Sequence, residues 1–235
     1  MEILNQKTLK VLQSLNAIHN SVIVSYPVTC IRESKSIQAY LNLEKLGQEE
    51  AFEEFGIYDL TSFLSAVSLI NEPSIQKNDN TIVIRNSNSA VSYRTSNIEL
   101  LEEENRGDVS IIDRVRKNTK IGEFDLSIDD FKQIKIASNT LKDLPDLSIS
   151  SAGEDSYVCL EIFGKERSSN TFEMFIKGSY EESSKIVVTL SLLKRLPNSN
   201  YKVEIFKNNK NDAKILLFTS TDVDGLEILL SAASM

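Results

Sequence analysis

The sequence is poor in the residues from which enzyme sites and rigid scaffolds are usually built. Its 235 residues include one histidine, two cysteines, four prolines, eight glycines and no tryptophan. Two cysteines are too few for a disulfide framework or a cysteine-rich zinc site. Both Cys30 and Cys159 sit in strand-like runs, where buried free thiols are expected. His19, at the end of the first predicted helix, has no nucleophile or ligand set beside it in the sequence, so it suits the helix dipole better than catalysis. With so few glycines the chain has neither G-x-G-x-x-G nor G-x-x-x-x-G-K-[ST], which disfavours nucleotide hydrolysis. No run of about 18 apolar residues is present to span a bilayer. Residues 1–7 lack the basic stretch, apolar core and small-residue cleavage site of a signal peptide, so a cytoplasmic protein is expected.

Positive charge is also in deficit: 26 Lys and Arg stand against 34 Asp and Glu, a net charge of −8. A protein that coats nucleic acid with its outer surface needs the opposite balance. The 41% hydrophobic and 26% charged fractions are those of an ordinary soluble globular protein. The length fits one large domain or two of roughly 115 residues. The acidic clusters Glu49/Glu50 and Glu102–Glu104 lack the alternating oxygen ligands and bend-forming glycine of a calcium loop and read as solvated surface. Asp222-Val223-Asp224-Gly225 has no Glu at the twelfth position and reads as a turn between strands. No catalytic residue, metal or cofactor is expected, and the protein is read as a non-enzyme.

Periodicity divides the chain into two similar halves. Asn5 to His19 reads as an amphipathic helix, with Leu9, Leu12 and Leu15 on one side and Lys7, Lys10 and Ser14 on another. Alternating runs at 21–26, 28–33 and 36–43 predict strands. A second helix is predicted from Leu60 to Ile70, ended by Asn71-Glu72-Pro73, with strands at 74–77, 81–85 and 90–94 after it. The stretch 98–122 turns from acidic to basic and is the best linker candidate. Then the order of elements starts again. Ser127-Ile128-Asp129-Asp130 has the form of an N-cap with acidic residues in the first turn, opening a helix to about Leu144. Strands follow at 147–151, 156–163, 171–177 and 185–188, then a short helix at 189–196 and strands at 201–206, 213–219 and 226–230. The offset of roughly 120 to 130 residues is too long for a solenoid repeat and suits a duplicated domain. An α+β fold is expected, of two domains that each pack two helices on an antiparallel sheet. Their bounds are 1–112 and 123–235, with an interdomain connector at 113–122.

The helices repeat a basic stripe. If they face one side, Lys7, Lys10, Lys132, Lys135, Lys142, Lys194 and Arg195 form a basic lining while the sheets and loops hold the acidic excess. Such a lining could face a polyanion that the exterior would repel.

Several stretches, in order, resemble the sliding clamps, the DNA polymerase processivity factors, and within them the T-even-type bacteriophage clamps. They are residues Leu4 through Ser21, Gly56-Ile57-Tyr58-Asp59-Leu60, Phe63-Leu64, Ser68-Leu69-Ile70-Asn71 and Asn200-Tyr201-Lys202; the middle, from about Ser74 to Glu123, matches poorly. The resemblance implies a DNA-clamp fold with two domains per chain. It also implies a head-to-tail homotrimer closed into a ring, with helices lining the hole around double-stranded DNA. It implies a clamp-loader ATPase and a DNA polymerase as partners and allows transcription factors, all in the host cell cytoplasm. The polymerase's terminal peptide would dock in an apolar pocket beside the connector, which Val109, Ile111 and Ile112 are expected to rim. The competing expectation is an acidic structural or interaction protein, such as a virion component, with a duplicated α+β domain and no role on DNA.

Overall fold

The computed structural model describes residues 3–48, 51–101, 110–141, 143–153, 156–164, 170–181 and 185–234. The chain divides into two compact units, the first drawn mainly from residues up to 109 and the second mainly from Ser110 onward.

In the first unit the order is α1 (Gln6–Leu15), β1 (Val22–Val24), β2 (Val28–Ser34), β3 (Ile37–Asn42), β4 (Phe55–Ile57), α2 (Leu60–Ser68), β5 (Ser74–Asn78), β6 (Thr81–Arg85) and β7 (Ala90–Arg94). A short 3-10 turn, Ile98–Leu100, follows. The strands are hydrogen-bonded in the orders β4-β1-β2-β3 and β5-β6-β7. Asn5 caps α1 by accepting the Thr8 amide at 2.9 Å. Leu9, Val11, Leu12 and Leu15 bury one face of that helix. The helix stops at Leu15, short of His19, because Ile18 donates back three residues to the Leu15 carbonyl at 2.9 Å and tightens the chain into a turn. Asp59 caps α2 in the same way, accepting the Ser62 amide at 2.9 Å. Phe63, fully buried, meets Tyr93 of β7 edge to face at 5.3 Å between ring centres.

The second unit repeats the plan: α3 (Ile111–Arg116), β8 (Thr119–Leu126), α4 (Ile128–Thr140), β9 (Asp146–Ser151), β10 (Tyr157–Phe163), β11 (Phe172–Tyr180), β12 (Ile186–Thr189), α5 (Leu190–Leu193), β13 (Tyr201–Lys207), β14 (Lys214–Ser220) and β15 (Leu226–Ser234). Its strands run β12-β9-β10-β11-β8-β13-β14-β15, and β12 pairs again with β15, so the succession of pairings closes on itself. The unit's aromatic centre is Tyr201, which meets Phe131 of α4 at 5.8 Å and Phe218 of β14 at 5.6 Å, both edge to face.

From α1 in the first unit and α4 in the second, both follow one sequence of elements: helix, four strands, helix, three strands. The correspondence extends to weak contacts. Ile3 donates one bond to Ile75 of β5, where the second unit has the whole of β8 along β13. The single bridge Gly56↔Ser96 stands where the second unit pairs β12 with β15.

The stretch 98–122, read from sequence as a linker, holds α3 and the first half of β8 among its described residues. Six helical residues are too few to develop a 3.6-residue pattern. The alternation of β8 lies in Ile121, Phe124 and Leu126, which are buried, and is interrupted at Gly122. The glycine has its own reason. β11 and β8 meet through only three residue pairs, Gly178↔Phe124, Ser179↔Glu123 and Tyr180↔Gly122. A Cβ on Gly178 would collide with the Glu123 carbonyl and with Phe124, and one on Gly122 would lie 2.7 Å from the Ser179 carbonyl oxygen. Gly178→Val is therefore expected to destabilise the fold by about 1–3 kcal/mol through overpacking. Urea unfolding measures it, and an unchanged midpoint would mean that β8 and β11 can separate without loss.

Candidate nucleic-acid interface and docking groove

Because α1 gives its leucines to the core, Gln6, Lys7, Lys10, Gln13 and Ser14 are left exposed. The outer side of α2 is different in kind. Thr61, Ser62, Ser65 and Ser68 are exposed, and no charged residue occurs between Leu60 and Ser68. Ser65 and Ser68 return their hydroxyl protons to the carbonyls of Thr61 and Ser65, at 2.8 and 2.7 Å. The basic stripe of the first unit is thus Lys7 and Lys10 on α1.

In the second unit Ser127 accepts the Asp130 amide at 3.1 Å, and Asp129 and Asp130 occupy the first turn of α4. Phe131 and Ile134 are buried. Lys132 is exposed and lies 3.5 Å from Asp129, a loose surface pair of small energetic weight. Lys135 is half-buried instead: its ammonium donates to the Leu196 carbonyl at 2.7 Å and to Asn198 Oδ1 at 2.8 Å, and lies 4.4 Å from the centre of the Phe131 ring. Lys194, just beyond α5, donates to Asn139 Oδ1 at 2.9 Å and to the Ser138 carbonyl at 3.3 Å. Arg195 is half-buried next to it, and Lys142 lies outside the described residues. Sequence reasoning found these cations but not their partners. Asn139 and Asn198 belong to no motif and meet the lysines only through the packing of α4 beside α5.

A tie at the start of α4 was equally invisible. Asp222 accepts from the Asn200 amide at 2.7 Å, from Asn200 Nδ2 at 2.8 Å and from Ser199 Oγ at 2.9 Å, while Asn200 Oδ1 receives the Ile128 amide at 2.8 Å. These bonds, the Asn200 amide foremost, hold the Asp222 carboxyl below its usual range. The segment read as a turn between strands therefore also anchors the helix.

A cavity of about 460 Å³ opens between α3 and the β13–β14 hairpin. Ile111, Val115 and Ile215 supply its apolar surface, and Arg114, Lys117, Asn118, Asn208, Asn209 and Lys210 its polar rim. Ile111 is half-buried and reaches this groove, whereas Ile112 is buried and absent from its lining; Val109 lies outside the described residues. A larger cavity of about 580 Å³ in the first unit is lined by both signs of charge, including Arg94 and the ion pair of Lys77 with Glu53 at 2.5 Å.

Cys30 is buried and Cys159 half-exposed, both as free thiols; burial raises the Cys159 pKa. His19 Nδ1 lies 3.0 Å from Ser21 Oγ. Among the described residues no group of three or more His, Cys, Asp or Glu is placed to hold a metal ion, and no helix is long and apolar enough to cross a membrane.

Comparison with known proteins gives the arrangement its context. A sliding clamp from Vibrio phage KVP40 is 25% identical over 177 residues, covering 73% of this chain and 75% of that protein. A putative DNA polymerase III beta subunit from Eubacterium rectale superposes with a TM-score of 0.61 at 12% identity over 98% of this chain. The DNA polymerase III beta chain of Streptococcus pneumoniae does so with a TM-score of 0.59 at 14% identity over 100% of this chain. The chain is thus similar in sequence to a phage sliding clamp and in fold to two bacterial beta subunits. The fold is the DNA-clamp fold, with two similar α+β units. The chain spans 64% of the length of each of these two bacterial proteins. No protein-family model matches the sequence.

Burial lowers the Lys135 pKa to about 8, while the two hydrogen bonds and the Phe131 ring favour the charged form. The lysine is then charged at pH 7 and loses its proton as pH rises through about 8. Side-chain 13Cε resonances followed from pH 6 to 11 should show Lys135 titrating at that midpoint. A midpoint at the ordinary lysine value near 10.5 would contradict the burial described.

Proposed function

We propose that this chain is a processivity clamp: a ring that encloses double-stranded DNA and tethers a DNA polymerase to it. The observation that carries the proposal is the clamp fold combined with exposed lysines on α1 and α4 of a chain whose net charge is −8. A basic helical lining attracts phosphates without reading bases, so the enclosed duplex can slide. The DNA-facing cations are Lys7, Lys10 and Lys132; Lys135, Lys194 and Arg195 lie on or just beyond the helices of the second unit, and Lys142 is outside the described residues. Holding power then comes from topology, because a closed ring stays on DNA even where each contact is weak. No reaction is assigned to the protein.

Three copies, two clamp domains each, make the ring we propose. Each unit offers a strand edge for its closure. Among the described strands, β7 pairs only with β6, and residues 172–177 of β11 pair only with β10. A head-to-tail contact between such edges covers peptide groups that would otherwise template aggregation. An ATP-driven loader is the partner that opens the ring. The groove of Ile111, Val115 and Ile215 is the place for the polymerase's peptide; its apolar surface accepts apolar anchors.

Two measurements test this reading. After loading, the protein should remain on closed circular DNA and run off the same DNA once linearised; equal retention on both would exclude a topological clamp. Ile111→Asp should weaken binding of the polymerase peptide by about tenfold or more while leaving the trimer mass unchanged. Unaltered affinity would remove the groove from polymerase docking.

A further inference from the structure

Two half-buried lysines of the second unit, Lys135 and Lys194, are engaged in a reciprocal manner. Lys135 leaves α4 and donates to the carbonyl of Leu196, just past α5. Lys194, just past α5, donates to the carbonyl of Ser138 in the last turn of α4. Each also holds an asparagine beyond its target helix or within it, Asn198 for Lys135 and Asn139 for Lys194. The last carbonyls of a helix have no partner within it. Ala137 is served by the Leu141 amide, and Ser138 is served by Lys194. A cation at a helix C-terminus is favoured by the helix dipole as well. Lys132, one turn earlier on α4, stands apart from this arrangement, exposed and paired only loosely with Asp129.

We propose that Lys135 and Lys194 are positioning residues. They cross-brace the last turn of α4 and the segment just past α5 through the carbonyls of Ser138 and Leu196, and they leave Lys132 as the α4 lysine that meets phosphate. The assignment of Lys132 rests on the clamp reading; the brace itself does not. An ammonium whose donors are already committed to two protein acceptors has less to offer a phosphate than one that is solvated. Of the four cations described on α4 and just beyond α5, two are thereby taken out of the DNA contact and given to the geometry of the surface that makes it.

The test uses the full-length protein with Lys132→Ala, Lys135→Met, Lys194→Met and Lys194→Arg. Amide hydrogen exchange at 137–141 and 193–196 should quicken on the order of tenfold in Lys135→Met and Lys194→Met, and recover in Lys194→Arg, whose guanidinium can serve the same carbonyl. Binding of a 30-base-pair duplex is then followed against salt. Lys132→Ala should lower the slope of log K against log salt by about one, and the two methionine variants should leave it unchanged. Unchanged exchange in either methionine variant overturns the brace. A slope lowered by about one in either makes that lysine a phosphate contact and overturns the proposal too. If the duplex does not bind, or Lys132→Ala keeps the original slope, the clamp reading of this helix falls, and the exchange data alone decide the brace.

Discussion

A helix laid on a sheet must give the sheet its apolar face, and that one division decides which side chains are left to meet anything else. In the second unit it is enforced by three rings: Phe131 of α4 stands on Tyr201, and Tyr201 on Phe218, with centroid separations of 5.8 and 5.6 Å. The Tyr201 hydroxyl is satisfied by the Pro197 carbonyl at 2.7 Å, so the ring can be fully buried without leaving a polar atom unpaired. With Phe131 fixed inward, residues 132, 133 and 136 must turn outward by helical geometry. That is why Lys132 is exposed, and why Ile136 is exposed as well, at 64%.

The duplication shows how much of a unit can vary while the division holds. Both units keep the order helix, four strands, helix, three strands. Their second helices differ. Asp59 starts α2 and gives it nine residues, whose outer side carries hydroxyls. α5 has four helical residues and no capping side chain, and Pro197 follows shortly. The residue before a proline is pushed out of helical conformation, so the short helix cannot run on. Lys194 comes immediately after it, within reach of α4. A long helix can hold its place through its own buried face; a short one needs outside bonds, and the lysines and asparagines between α4 and α5 are those bonds.

Much of this order was legible because it rests on local pattern. Leu9, Leu12 and Leu15, the Ser127 cap and the alternation within β10 and β13 all place their elements correctly within a few residues. What stayed hidden depends on partners distant in sequence. β8 was lost in a basic stretch because Gly122 breaks its alternation, and the glycine is required by β11, more than fifty residues away. Lys135 and Lys194 carry the same charge as Lys132 in the sequence. Only the acceptors 55 to 63 residues away, Asn139, Leu196 and Asn198, separate their roles. The groove was half visible, since Ile111 and Ile112 are apolar in a polar stretch, but a six-residue helix turns one to the groove and the other to the core.

The acidic total and the basic helix faces are compatible because the two sets of charges are handled differently. Several carboxylates of the second unit's strands are neutralised where they stand: Glu123 by Lys120 and Lys202, Glu161 by Lys185, and Glu227 by Arg116. Pairing of this kind adds little stability at a surface, but it removes lysines from any search for a polyanion. Lys7 and Lys10 lie on a helix segment, Gln6–Leu15, that contains no acidic residue at all. A net charge therefore says little about where a phosphate would be welcome. The decisive quantity is which cations are uncommitted, and on the helices of this chain Lys7 and Lys10 lie clear of carboxylates of their own segment while Lys132 keeps only a loose one. On the proposed clamp reading such contacts are weak, few and solvated, and the enclosing ring rather than the contacts would retain the duplex.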